Sequence, residues 1–77
     1  MTISEILEAY PEGTVLNVWS SASTGRTLIG FYLGRFTVER RTIRHQDTGQ
    51  TWGEVQRDFR RWRHYTPAIA KAVPVKP

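Results

Sequence analysis

Cysteine is absent from the 77 residues, which excludes a disulfide scaffold and any thiolate metal site. Histidine is scarce: His45 and His64 are the only two, and no third ligand type sits at a spacing that would suggest a zinc or iron set. No apolar run approaches the roughly 20 residues that cross a bilayer as a helix, so no membrane partner is expected. No charged stretch leads into an apolar one near Met1, so no export is expected and the expected location is cytoplasmic. The densest glycine stretch, residues 25–34, has neither the spacing nor the following helix of a phosphate loop.

The inventory for catalysis is correspondingly thin. His45 and Asp47, two residues apart near a turn signal, are the one acid/base candidate, and such a pair is more often a solvated loop contact. The chain is therefore expected to be no enzyme, with no catalytic residue, metal or cofactor implied.

What is present points to a small globular unit. With 39% hydrophobic and 12% aromatic residues the chain has material for a core, and at this length one domain buries roughly 60% of its unfolded surface. A core of that size is marginal alone, which makes a homodimer an expected alternative partner. Lysine is scarce, at two of eleven basic residues; the other nine are Arg, whose planar fork suits phosphates, carboxylates and rings.

Charge is unevenly spread. Residues 1–34 hold Arg26 against Glu5, Glu8 and Glu12, a net of −2. Residues 35–65 hold Arg35, Arg40, Arg41, Arg44, Arg57, Arg60, Arg61 and Arg63 against Glu39, Asp47, Glu54 and Asp58, a net of +4. Lys71 and Lys76 add +2, which gives the formal total of +4.

Residues 51–65 carry the clearest period. Val55, Phe59, Trp62 and Thr66 follow i, i+4, i+7, i+11 and form one helical stripe with Tyr65 at its margin, read as the core face. Arg57, Arg60, Arg61, Arg63 and His64 occupy the remaining surface, so burying the stripe turns four guanidiniums to solvent. Thr51 with Glu54 three residues on reads as a capping box, and Pro67 stops the run at Thr66. Gly53 weakens the first turn, so the helix is expected to start at Thr51 or, after an extended start, at Glu54.

Thr2 and Glu5 repeat the box, and Ile3, Ile6, Leu7 and Tyr10 follow a helical period until Pro11. Residues 14–20, rich in Val, Leu, Trp and Thr, read as a first strand, apolar on both faces; residues 21–25 read as a hairpin loop. A second strand follows from Thr27, where Phe31 and Leu33 share one parity while Phe36 and Val38 take the other. That shift predicts either a two-residue turn at Gly34-Arg35 or a bulge in one long strand, and the turn is the favoured reading. Residues 36–45 then form the third strand, with a turn at residues 47–50 and a brief return strand at 50–52.

The expected fold is α+β: a short N-terminal helix, a three-stranded antiparallel sheet and a C-terminal basic amphipathic helix, residues 1–66 forming the domain. The alternative is a small SH3-like β-barrel with a terminal helix, which would use Gly30 and Gly34 as bend points. Residues 67–77, with three of the four prolines, are expected to be an extended or disordered tail. Double-stranded RNA-binding domains share the order helix, three strands, helix. The Lys-rich start of their second helix is replaced here by Gly53, Glu54 and Val55, and no family is assigned.

The functional expectation is a small regulatory protein that binds DNA or RNA, contacting phosphates through Arg57, Arg60, Arg61 and Arg63 on the helix and Arg40, Arg41 and Arg44 on the adjacent strand. Arg41 and Arg44 fall on opposite strand faces, and Glu54 and Asp58 stand where i, i+3 pairs would neutralise Arg57 and Arg61. The alternative is an adaptor or inhibitor, of the kind phages and plasmids encode, that meets an acidic protein surface through Trp52, Trp62 and Tyr65.

Overall fold

A computed structural model describes residues 1–24 and 27–76, and the side chains among them outside 22–29. The order is α1 (Ile3–Ala9), β1 (Val15–Thr24), β2 (Thr27–Val38), β3 (Ile43–His45), α2 (Trp52–Arg63) and β4 (Ala68–Pro74). The four strands make one antiparallel sheet in the order β3-β2-β1-β4. The fold is therefore α+β with two helices, as expected, but the sheet has four strands rather than three. Its edges β3 and β4 do not meet, so it is open and the SH3-like barrel is not the architecture.

Both capping boxes form. Thr2 Oγ1 accepts from the Glu5 amide at 3.2 Å while Glu5 Oε1 accepts from the Thr2 amide at 3.0 Å. Thr51 and Glu54 repeat the exchange at 3.3 and 3.1 Å. Each box satisfies two amides that the first helical turn leaves without intrahelical partners. Helix α2 starts at Trp52, directly after Thr51, so Gly53 does not delay it.

Register explains the parity shift at Gly34. Val18 faces Gly34 and Trp19 faces Tyr32, which leaves Leu33 as an extra residue in one continuous β2. The favoured turn at Gly34-Arg35 is thus a bulge, and Gly34 has φ +117°, a backbone state that disfavours any side chain. The expected third strand is divided. Phe36 to Val38 ends β2, a turn closed by the Glu39 amide on Thr42 O at 2.8 Å follows, and β3 returns so that Val38 faces Ile43. Residues 21–24 of the loop expected at 21–25 belong to β1, which runs to Thr24; Gly25 lies outside the described residues. The return strand expected at 50–52 is one bridge, Arg44 to Thr51.

The expected tail is a strand. β4 lies antiparallel along β1, with Ala72 facing Val18 and Ile69 facing Ser20. Trp19 faces Lys71, so Ala70 is an extra residue, and the buried positions Ile69 and Ala72 stand three apart instead of two. That bulge hides the strand's period. Pro74 is tolerated because β4 is an edge.

Leu16, Val18, Phe36, Val38, Ile43, Ile69 and Ala72 line one sheet face and form a single core with Ile6 of α1 and with Trp52 and Val55 of α2. Full burial of each large member is worth about 1.5–3 kcal/mol relative to exposure. Trp52 meets Phe36 edge-on at 6.0 Å between centroids, and Phe59 stacks on Phe31 at 5.8 Å. Both helices therefore cover the same face. The other face carries no helix among the described residues.

Candidate nucleic-acid interface

The inward stripe of α2 is Trp52 and Val55, both buried, with Gln56 and Phe59 half-buried beside them, an i, i+3, i+4, i+7 set, rather than Val55, Phe59, Trp62 and Thr66. Including Trp52 as the first helical residue rotates the inward direction away from Trp62. Trp62 is consequently 72% exposed instead of core, and Thr66 is exposed as well. His64 ends the helix in the left-handed region at φ 61°, ahead of the stop expected from Pro67. Beyond it, Tyr65 meets Phe59 edge-on at 5.7 Å.

The outer surface of α2 is cationic. Arg57, Arg60, Arg61 and Arg63 are all exposed. Arg57 Nη2 stands 4.0 Å from Glu54 Oε2, the outer limit of an ion pair between exposed groups, where the interaction is weak. The expected Asp58–Arg61 pair is not among the ion pairs of the described residues; Asp58 accepts from Gln50 Nε2 instead. Arg61 lies over the Trp62 ring at 5.2 Å and Arg63 over Phe59 at 5.2 Å, contacts that orient guanidiniums without neutralising them. Three basic residues in the last turn also complement the negative end of the helix dipole.

The strand arginines divide differently from the expectation. Arg40 and Arg41 are exposed in the β2–β3 turn, not on a strand. Arg44, on β3, donates through Nε to Glu39 Oε2 at 2.8 Å and through Nη1 to Gly49 O at 2.7 Å. The Glu39 hydrogen bond and charge raise the Arg44 pKa above its ordinary value, so this guanidinium is committed to fixing the turn. Of the alternative interface set, Trp52 is core, Tyr65 is half-buried, and Trp62 alone is open.

No family model, curated protein or solved structure matches the chain. His45 and Asp47 do not form a side-chain pair. The His45 Nδ1 accepts the Asp47 and Thr48 amides at 3.1 and 3.2 Å, which leaves the Nε2 proton for Leu33 O at 2.8 Å. The ring is a structural tie between the turn after β3 and the β2 bulge. Among the described residues no three His, Asp or Glu side chains cluster as a metal site would need. A cleft of about 430 Å³ opens between the start of α1, Trp52 and Gln56 of α2, and the Pro67–Ile69 stretch. Its lining is mainly apolar and brings no nucleophile and base together.

Sequence reasoning missed a second set of exposed groups. Cross-strand neighbours share a sheet face, and Trp19, Tyr32 and Lys71 stand in one row across β1, β2 and β4 on the uncovered side. The alternation Val15, Asn17, Trp19 was visible in β1. Without the bulge at Leu33 and the pairing of β4, nothing showed which partners it would meet.

Proposed function

We propose that the protein is a non-enzymatic nucleic-acid-binding regulator whose α2 surface contacts phosphates. The observation that supports this reading best is the set of four solvent-facing guanidiniums on one helix, met among the described residues by a single loose carboxylate contact. Phosphate recognition needs several cations held along a rigid element, and a helix anchored by Trp52, Val55 and Phe59 supplies that rigidity. Arg40 and Arg41 extend the positive field from the β2–β3 turn; Arg44 contributes less because Glu39 already holds it. Replacing Arg57, Arg60 and Arg61 together by Glu tests the reading. These side chains lie off the buried stripe, so circular dichroism should be unchanged while binding to a labelled duplex disappears. Retained binding in a folded variant would refute it.

The exposure of Trp62 favours a second reading, an adaptor that docks on an acidic protein surface. An aromatic ring beside Arg61 is a typical binding anchor. Trp62→Ala separates the two: loss of a stoichiometric protein partner with nucleic-acid binding intact would select the adaptor.

A further inference from the structure

The sheet face turned away from both helices carries a row of three side chains. Lys71 on β4 faces Trp19 on β1, which faces Tyr32 on β2. The rings are close and tilted, with centroids 5.2 Å apart at 52°, and Tyr32 is 51% exposed. Tyr32 does not swing freely, since its hydroxyl donates to Asn17 Oδ1 at 2.6 Å. Lys71 Nζ lies 5.3 Å from the Trp19 centroid, and Arg35, paired across from Asn17, adds a second exposed cation in the next row.

The strand residues on this face carry only positive charge. None of the four strands contains an Asp or Glu; the carboxylates lie on the helices and in the turns. Glu39 reaches the sheet only to hold Arg44. A sheet face with a held ring, a second ring beside it and flanking cations offers stacking for an unpaired base and neutralisation for its phosphates. Duplex bases hide their faces in the stack, and among the described residues no helix projects from this side to enter a groove. A second copy docked face to face would bring Arg35 and Lys71 against like charges.

We propose that this uncovered face binds single-stranded nucleic acid, with Tyr32 and Trp19 as the stacking platform and Lys71 and Arg35 on the phosphates. The site goes beyond the α2 reading and is independent of it, because α2 packs on the opposite side of the sheet. Truncating one stacking ring typically weakens binding by about tenfold or more.

The test uses the full chain with a labelled dT15 oligonucleotide and a 15-base-pair duplex, read by fluorescence anisotropy. Tyr32→Ala combined with Arg35→Glu should weaken dT15 binding by about tenfold or more and duplex binding by less than about twofold. Tyr32→Phe, which keeps the ring, should retain dT15 binding. In a Trp62→Phe background dT15 should quench tryptophan fluorescence, since Trp52 is buried and Trp19 is the remaining accessible indole. Should the double variant fail to fold, Arg35→Glu alone and the quenching measurement carry the same decision. Unchanged dT15 affinity in folded variants, equal losses on both ligands, or a dimer that buries Trp19 would overturn the proposal. Duplex binding through α2 without dT15 binding overturns this inference alone; binding of neither ligand overturns the α2 reading too.

Discussion

Gly34→Ala probes the joint that orders the sheet. A β-carbon at Gly34 would stand 2.6 Å from His45 Nε2 and 3.3 Å from its Cε1, at a backbone φ of +117°. The imidazole has nowhere to go without loss. It meets Phe36 edge-on at 4.9 Å, and its two nitrogens make the hydrogen bonds to Leu33, Asp47 and Thr48. Backbone strain at positive φ costs about 1–2 kcal/mol. Displacing the ring forfeits one or two of these hydrogen bonds, worth about 1 kcal/mol each, so the sum is about 2–4 kcal/mol. A domain of 77 residues has about 4–12 kcal/mol in total, so the variant loses a large part of its stability.

Urea unfolding followed by tryptophan fluorescence would show this as a lowered midpoint at constant slope, equivalent to a Tm drop of about 10–25 °C. In a His45→Ala background the clash is gone, and the same change at Gly34 should cost only the backbone share of about 1–2 kcal/mol. Gly53→Ala is the control: nothing lies within 4 Å of its β-carbon, and the helix should gain up to about 1 kcal/mol. A Gly34→Ala protein within about 0.5 kcal/mol of the parent, or a cost unchanged by removing His45, would refute the bulge and its contact.

Three further outcomes follow from burial and hydrogen bonding. Trp52→Ala should cost about 3–5 kcal/mol, whereas Trp62→Ala should cost less than about 1 kcal/mol; chemical denaturation of both ranks the two indoles. Ser20 is buried with no hydrogen-bond partner for its hydroxyl among the described residues, so Ser20→Ala should raise stability by about 1 kcal/mol, seen as a higher urea midpoint. Hydrogen bonds from the Thr51 amide and hydroxyl hold the Glu54 carboxyl below its ordinary pKa of 4.5. A depressed folded-state value means the stabilisation is complete above pH 4.5 and is lost as pH falls through the folded value; Thr51→Ala, which removes the hydroxyl and keeps the amide, should reduce this dependence in part, and Glu54→Gln should remove it, in acid titrations of the unfolding midpoint.

Features set by neighbouring residues were legible in the sequence. Both helices announce themselves through Thr2/Glu5 and Thr51/Glu54, each a local exchange of hydrogen bonds. The parity change between Phe31 and Phe36 correctly narrowed Gly34 to a turn or a bulge, but only pairing with β1 decides between them. Residues 67–77 were illegible for a related reason. The extra Ala70 breaks the alternation of Ile69 and Ala72, and an edge position excuses Pro74, so the usual strand signs cancel. The same held at the site. Arg57, Arg60, Arg61 and Arg63 are exposed as their helical positions implied, while the phase of the stripe depended on Trp52, whose burial against Phe36 is a tertiary contact. Arg44 looked available because its partner, Glu39, lies across a turn that the strand pattern concealed.

Salt dependence tests the central claim, that α2 guanidiniums neutralise phosphates, most directly. Four contacts predict that the logarithm of duplex affinity falls with the logarithm of salt concentration at a slope of about −3.6, roughly 150-fold between 50 and 200 mM. A charge reversal at Arg57, Arg60 and Arg61 should remove that dependence along with the binding. A slope near zero, or no detectable binding at the lowest salt, would contradict the account.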